Sequence, residues 1–269
     1  MSISPKTIAI ASSFILFFIA IALEQVYDFI ILNFSMPSLS YIAIYILIPC
    51  ISLLAFGLLT KLTKSSFSKQ GYKKPGGINT ARCILLSIFF LVVYISVYLT
   101  QGFFGTLGPL NIPSGLYSLL TSLAISIAYA LFSESVFRGY IFRNLTRHYG
   151  LFPSLYVSSI LFSLYTISIT DIATIAEDPF IFIFTNIIPL LASGLFLAFF
   201  FYKIRWSLLG PFVFRAGFLL FFELTPIGVS SPWWIALTFE MLAFAVLILL
   251  ADLMIQEPEY RRRKYGLQE

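Results

Sequence analysis

The chain has 269 residues, of which 59% are hydrophobic and only 11% charged, and its mean hydropathy is +0.94. These values exclude an ordinary soluble globular domain and indicate a polytopic membrane protein that lies in a lipid bilayer. The net charge of +5 comes from 17 Lys and Arg residues against 12 Asp and Glu residues. Because the basic residues lie mostly in short connections along the whole chain, they indicate membrane topology and no binding of nucleic acid.

Apolar runs of about twenty residues, the length that spans a hydrocarbon core of about 30 Å, recur along the sequence. They predict eight transmembrane helices, over residues 7–32, 40–60, 83–101, 115–142, 152–168, 179–201, 207–224 and 233–255. The predicted fold is an all-α polytopic membrane helix bundle, a single integral membrane domain over residues 1–269. Eight spans leave almost no chain outside the membrane.

The Lys and Arg residues outside the spans occur before the first span, in alternate connections and in the tail. They are Lys6, Lys61, Lys64, Lys69, Lys73, Lys74, Arg82, Arg143, Arg147, Lys203, Arg205, Arg261, Arg262, Arg263 and Lys264. The other four connections, 33–39, 102–114, 169–178 and 225–232, carry no Lys or Arg. Since cytoplasmic loops are enriched in these residues, we predict a multi-pass cell-membrane protein with both termini in the cytoplasm.

The first apolar run follows Lys6 and contains the small residues Ala20 and Ala22, as a signal peptide with its cleavage site does. The run continues through residues 29–32, beyond the usual length of such a segment. We therefore expect this run to be retained as the first span.

The cysteines and the histidine predict no metal site. Cys50 and Cys83 lie in or beside apolar spans and have no metal-ligand spacing, so we interpret them as small hydrophobic residues. The single histidine, His148, lies beside Arg147 in a connection. A zinc site needs several converging ligands, and there is also no Gly-rich phosphate loop, so we predict no metal and no cofactor.

The segment 133–140 places Glu134 and Arg138 near the end of the fourth predicted span. A charged side chain near the centre of a membrane helix costs roughly 2.5 to 3.5 kcal/mol on insertion scales, so it is rarely kept without a role. The spacing of four residues puts both charges on one helix face, with the acid on the N-terminal side, which is the favourable order. Two interpretations follow: a structural ion pair inside the bundle, or a reaction centre.

The sequence 133–143 resembles the first motif of the CPBP intramembrane proteases, which include the type II CAAX prenyl endopeptidases and bacteriocin-immunity proteins. That motif is written EExxxR, and Glu134 and Arg138 match it, whereas Ser133 stands in the place of the first glutamate. The second motif, FxxxH, resembles Phe162 to Thr166, with Thr166 in place of the histidine. The resemblance extends over about half of the chain.

The third motif, HxxxN, aligns with residues 215–219 on the seventh predicted span, with Arg215 in place of the histidine and Leu219 in place of the asparagine. The resemblance thus implies a CPBP-like core over about 115–224. The N-terminal helices of residues 7–101 and the C-terminal helix 233–255 would pack on this core, and 256–269 would form a basic cytoplasmic tail.

The family is thought to hydrolyse peptide bonds by having glutamate and histidine activate water, which needs a group that takes and returns a proton. Thr166 is too weak an acid for this, and Arg215 stays protonated and only donates hydrogen bonds. Glu134 is the one candidate base left. No intact catalytic set is therefore predicted, and Ser133, Glu134, Arg138, Thr166, Arg215 and Leu219 are interpreted as vestigial motif positions. An alternative hypothesis is that Arg215 forms a second ion pair with Glu134 and so turns a reactive cluster into a structural one.

The function predicted from these substitutions is that of a pseudoprotease, an accessory, scaffolding or binding subunit of a membrane protein assembly whose partner the sequence does not name. One alternative is an active CPBP-type intramembrane endopeptidase that uses Glu134. A second is a transporter or lipid-handling protein, because Glu223 and Glu240 lie inside the last two predicted spans and intramembrane carboxylates can line ion or proton routes.

Overall fold

The computed structural model describes residues 4–33, 38–62, 66–75, 79–101, 106–107, 116–167, 171–224, 229–230 and 232–255. Its helices are α1 (Pro5–Asn33), α2 (Ser38–Leu62), α3 (Thr80–Thr100), α4 (Leu116–Glu134), α5 (Arg143–Tyr149), α6 (Leu151–Tyr165), α7 (Asp171–Glu177), α8 (Pro179–Phe182), α9 (Ile188–Lys203), α10 (Leu209–Leu224) and α11 (Trp233–Met254). Two π-helical segments, Ser135–Phe142 and Ile183–Ile187, join α4 to α5 and α8 to α9. The short 3₁₀ helix Ser68–Gln70 lies in the connection between α2 and α3.

The predicted all-α membrane helix bundle is confirmed, and each of the eight apolar runs is helical over most of its length. Within the described residues, five helices are long and apolar enough to cross a membrane: Lys6–Val26, Thr80–Thr100, Ser118–Tyr149, Pro179–Lys203 and Trp233–Met254. Three shorter apolar helices, Pro49–Lys61, Leu151–Tyr165 and Leu209–Phe222, account for the other predicted spans.

The fourth span differs from its prediction in both length and geometry. It was expected to end at residue 142, but it continues without interruption to Tyr149, and its middle part is π-helical. A π-helical turn contains an extra residue relative to the α-helix, and such turns occur frequently at functional sites. The eight residues Ser135–Phe142 are all buried, so surrounding helices support this less favourable backbone.

The connections of the bundle meet at two ends. Arg147 Nη2 donates a hydrogen bond to the Lys69 carbonyl at 3.3 Å, and Ser207 Oγ donates to the Lys73 carbonyl at 2.8 Å, so three basic connections lie together. Two connections that carry no Lys or Arg are joined by strands β1 (Thr106–Leu107) and β2 (Val229–Ser230), which pair antiparallel. Basic and non-basic connections are thus gathered separately, and the assignment of the basic end to the cytoplasm stays a prediction.

The core of the bundle is built largely from aromatic rings. One cluster joins α3, α9, α10 and α11, and in it Phe90 packs on Phe200 with ring centroids 5.2 Å apart, while Phe196 packs on Phe214 at 5.0 Å. A second cluster joins the N-terminal helices to the π-helical segment and α6. Outward-facing leucines such as Leu253, which is 73% exposed, leave an apolar outer surface of the kind that contacts lipid or partner helices.

Small residues let α6 and α9 approach closely. A Cβ atom added at Gly194 would lie 3.0 Å from the Cβ atom of Ser159 and 3.3 Å from Cδ1 of Phe162. Such contacts are characteristic of membrane helix pairs, in which small residues allow backbone-to-backbone packing. This approach places the Gly194 carbonyl group beside the side chains described next.

Candidate functional site

Glu134 and Arg138 form an ion pair inside the bundle. Nε of Arg138 lies 3.5 Å from Oε2 of Glu134, and each side chain is 1% exposed. Glu134 is the last residue of α4, and Arg138 lies in the π-helical segment that follows. The charge pair that the spacing predicts is therefore present, at the point where the helix changes its geometry.

Two further contacts fix the guanidinium group of Arg138. Its Nη2 donates a hydrogen bond to the Gly194 carbonyl at 3.3 Å, and its Cζ lies 4.1 Å from the centroid of the Phe162 ring. An aromatic face attracts a cation more strongly where water is excluded. Arg138 thereby joins three helical segments, because Gly194 lies in α9 and Phe162 in α6.

Arg215 contacts the same aromatic ring. Its side chain is 7% exposed, and its Cζ lies 5.0 Å from the centroid of Phe162 and 5.3 Å from that of Phe218. We call Glu134, Arg138 and Arg215 the charge centre. The three helices α4, α6 and α10, which carry the three motif positions, meet at the ring of Phe162.

The second ion pair expected of Glu134 is not found. Among the described residues, Arg138 is the only cation within 4.0 Å of the Glu134 carboxylate, and Arg215 packs on aromatic rings instead. The Nε and Nη1 atoms of Arg215 are buried and have no hydrogen-bond partner in the described part of the chain. The spacing of sequence motifs shows which helices meet, but it does not show whether a guanidinium group faces a carboxylate or a ring.

The hydroxyl groups of two other motif positions donate hydrogen bonds to carbonyl groups of their own helices. The hydroxyl group of Thr166 donates to the Ser163 carbonyl at 2.8 Å, and that of Ser133 donates to the Ala130 carbonyl at 3.4 Å. Such bonds satisfy a hydroxyl group locally and leave no strong partner for a neighbouring carboxylate. Leu219 is half-buried on α10.

A loop at the basic end of the bundle packs against the π-helical segment that follows Glu134. We call residues 66–75 the docked loop. The Tyr72 hydroxyl group forms a short hydrogen bond with that of Ser135, the residue after Glu134. Gln70 is fully buried, and its carbonyl oxygen would lie 2.8 Å from a Cβ atom added at Gly139. Burial raises the pKa of Tyr72, an effect that the hydrogen bond to Ser135 partly offsets.

The docked loop is also fixed on its other side. The backbone N–H of Leu208 donates to the Gly71 carbonyl at 3.0 Å, which links the loop to the turn before α10. Gly71 has a φ of +102°, a conformation that side chains rarely adopt, and a Cβ atom there would lie 2.8 Å from the ring of Phe201. Sequence reasoning identified these residues only as a basic connection, because nothing local indicates that Tyr72 reaches Ser135.

Glu240 lies apart from the charge centre. It lines a cavity of about 350 Å³ between α3, α9, α10 and α11. Of the other nine lining residues, four are aromatic, three are small and polar, and two are aliphatic: Tyr94, Phe218, Phe222, Phe244, Thr185, Asn186, Ser193, Pro189 and Leu190. Glu223 lies in α10, but its side chain is outside the described residues.

No group of three or more His, Cys, Asp or Glu residues that could hold a metal ion occurs in the described part of the chain. The arrangement therefore offers one carboxylate, two guanidinium groups and an aromatic ring. These groups can bind and orient a partner group, and the Glu134 carboxylate is the only member of the charge centre of the residue type that serves as a general base.

Comparison with known proteins agrees with the motif analysis. Residues 115–221 match a family model described as type II CAAX prenyl endopeptidase Rce1-like. No curated protein matches the chain. The matched segment covers less than half of the chain and contains every motif position discussed above, from Ser133 to Leu219. The resemblance predicted from the motifs is thus confirmed: residues 115–221 of this helical membrane protein are similar to the Rce1-like proteins.

Proposed function

We propose that this protein is a catalytically inactive CPBP-like membrane protein, a pseudoprotease that serves as an accessory, scaffolding or binding subunit of a membrane protein assembly. The observation that carries the proposal is the position of Arg215. It stands where the motif has a histidine, and its buried guanidinium group packs on Phe162 and Phe218.

The chemistry of the substituted positions supports this proposal. Hydrolysis of a peptide bond needs a group that accepts a proton from water and returns it to the leaving amine. A guanidinium group stays protonated at any relevant pH, and the Thr166 hydroxyl group is bonded to its own helix. Loss of one positioned acid or base typically costs about 10² to 10⁴ in rate, and here several positions differ together.

The surroundings of Glu134 support it as well. The carboxylate is paired with Arg138, and the neighbouring Ser135 is bonded to Tyr72 of the docked loop. A protease site must admit a peptide and a water molecule to its base. At this site, protein groups occupy the side that faces the basic end of the bundle.

Without residues that can transfer a proton, the buried charges can still stabilise the helix bundle. The bundle then keeps its shape and its surface, and both can serve to bind a partner. The first test is a cleavage assay with purified full-length protein, using prenylated CAAX peptides and membrane peptides. We expect no cleavage above the rate of the Glu134→Gln variant. Cleavage by the wild type that this variant abolishes would overturn the proposal and favour an active endopeptidase.

A companion variant restores the motif residues together: Ser133→Glu, Thr166→His, Arg215→His and Leu219→Asn. Cleavage by this variant, together with an inactive wild type, would attribute the lost activity to these four positions.

For the binding role, the tagged protein is purified in several mild detergents and the proteins that accompany it are identified. Absence of any stoichiometric companion in all of them would contradict the scaffolding function.

A further inference from the structure

A small cavity of about 210 Å³ lies at the basic end of the bundle. Its lining consists of Arg143, Thr146, Arg147 and Trp206, and we call it the basic cavity. The two arginines and Thr146 lie on α5, whereas Trp206 lies in the turn between α9 and α10. This cavity is separate from the charge centre and plays no part in the proposed function.

Two further cations lie close to the basic cavity. Burial and the positive charges of Arg143 and Arg205 lower the pKa of Lys73, so these three side chains are near enough to repel one another. Among the described residues, the ion pairs join Arg138 to Glu134 and Lys203 to Asp252, and neither includes a cation of this group. Four positive charges, those of Lys73, Arg143, Arg147 and Arg205, therefore lie near one another, and none has a carboxylate oxygen within 4.0 Å in the described part of the chain.

The guanidinium groups are held in place by the fold. Cζ of Arg143 lies 5.4 Å from the ring of Trp206, and its Nη1 is buried without a hydrogen-bond partner in the described residues. Nη2 of Arg147 is bonded to the Lys69 carbonyl in the docked loop. The ring of Trp206 and the Lys69 carbonyl group thus position two guanidinium groups that lie one turn apart on α5 and line the cavity.

The turn that carries Trp206 is itself strained. Arg205 and Trp206 have φ values of +56° and +63°, a region that costs non-glycine residues free energy and is found mainly where the surrounding structure imposes it. The Trp206 ring packs between Phe142, at 5.4 Å, and Phe201, at 5.5 Å. This packing holds the strained turn and places the indole ring beside Arg143.

We propose that the basic cavity binds a phosphate group. Arginine presents paired donors that match phosphate oxygens, and two arginines, Arg143 and Arg147, line the cavity. A dianionic phosphate monoester neutralises more of the four gathered charges than a carboxylate does. Thr146 contributes shape only, because its hydroxyl group already donates to the Phe142 carbonyl at 2.7 Å.

The phosphate group can belong to a lipid headgroup or to a soluble ion, since both present the same oxygens. The experiment uses the full-length protein in detergent and in phosphatidylcholine nanodiscs. One arm titrates inorganic phosphate and follows intrinsic Trp fluorescence, because Trp206 lines the cavity. The other arm replaces a tenth of the lipid with phosphatidic acid and measures retained lipid by mass spectrometry.

The test variant is Arg143→Gln with Arg147→Gln, and the matched control is Arg82→Gln with Lys61→Gln, two exposed cations outside the cavity. We expect the test variant to lose at least about tenfold in affinity per guanidinium group removed, and the control to stay within about twofold. Arg143→Lys should lose part of the affinity, because lysine keeps the positive charge but lacks the paired N–H donors of the guanidinium group.

Saturable binding of phosphatidic acid alone assigns the site to a lipid headgroup, and binding of both probes assigns it to phosphate in general. Binding of neither probe by the wild type would overturn the proposal. Equal losses in the test and control variants would also overturn it, since they would indicate attraction by net charge. Melting curves of all variants without phosphate show whether a loss of binding comes from misfolding, and the Arg143→Lys variant keeps the test valid if the double variant is unstable.

Discussion

The guanidinium carbon of Arg215 lies 5.0 Å from the centroid of the Phe162 ring, the same ring that Arg138 contacts at 4.1 Å. Two buried cations from different helices thus share one aromatic partner. Cation–π contacts contribute about 2 kcal/mol or more each where water is excluded. The ring therefore stabilises two like charges that would otherwise repel each other inside the bundle.

Replacing Phe162 with Leu should destabilise the protein strongly, because Arg138 loses the aromatic ring that it contacts, Arg215 keeps only Phe218, and the core gains a cavity. Replacing a buried Phe with Ala typically costs about 3 to 5 kcal/mol in stability. Leu removes less volume than Ala does, but its cost also includes the lost cation–π contacts. The measurement is the melting temperature in detergent. Phe152→Leu is the control, since Phe152 lies in the same helix but is 71% exposed. Equal melting temperatures for both variants would refute the shared role of the ring.

Breaking the pair of Glu134 and Arg138 should show strong coupling. Removing one member of a buried ion pair costs about 3 to 5 kcal/mol, because the other charge stays buried alone. We expect Glu134→Gln and Arg138→Met each to be destabilising, and the double variant to cost less than the two single losses added together. Glu177→Gln, an exposed change of the same type, should be near neutral. Additive losses in the double-mutant cycle would mean that the two side chains do not interact.

Gly194→Ala should destabilise the contact between α6 and α9. The added Cβ atom would lie 3.0 Å from Cβ of Ser159, and overpacking of this kind costs about 1 to 3 kcal/mol, more than the gain of about 1 kcal/mol in helix propensity. Gly57→Ala is the matched control, because its nearest neighbour is Cζ of Phe67 at 3.8 Å. We expect Gly57→Ala to be neutral or stabilising. A stable Gly194→Ala variant would contradict the close approach.

Removing the Tyr72 hydroxyl group should loosen the docked loop. In Tyr72→Phe, Ser135 keeps its bond to the Leu131 carbonyl, but the loop loses its link to the π-helical segment. We expect faster hydrogen exchange over residues 66–75 with little change in the spans. Tyr156→Phe serves as the control, since Tyr156 is 56% exposed on α6. Unchanged exchange in the loop would show that this hydrogen bond does not hold it.

The same tyrosine predicts a response to alkaline pH. Its pKa is raised in the folded protein, so folding favours the neutral phenol. This contribution to stability is complete below the ordinary pKa of tyrosine, about 10, and is lost as pH rises through the higher folded value. Absorbance titration of the wild type against Tyr72→Phe should show one phenol that ionises later than a free tyrosine. An ordinary titration of that phenol would contradict the burial of its ring and hydroxyl group.

The sequence predicts some of these features because they depend on local pattern. The eight apolar runs indicate the helices, since length and hydropathy suffice to describe a membrane span. The pair of Glu134 and Arg138 follows from a spacing of four residues on one helix. Both statements concern residues that are near one another along the chain.

Other features depend on contacts between distant segments, which no local pattern specifies. The π-helical turn after Glu134 is imposed by packing, because its residues carry no Pro or paired Gly that would mark it. One hypothesis placed Arg215 in an ion pair with Glu134, but among the described residues the two groups do not come within 4.0 Å, and the guanidinium group of Arg215 packs on Phe162 and Phe218. The link between Tyr72 and Ser135 joins residues 63 positions apart.

The π-helical segment Ser135–Phe142 also determines how two groups of charged residues are rotated relative to each other about the helix axis. Glu134 lies just before the segment, and Arg143 of the basic cavity lies just after it. Each residue of an α-helix advances the direction of its side chains by about 100°, so deleting one residue from this turn would rotate the whole of α5 about its axis relative to α4. The length of this π-helical segment thus fixes the direction of the Arg143 and Arg147 side chains relative to the ion pair of Glu134 and Arg138.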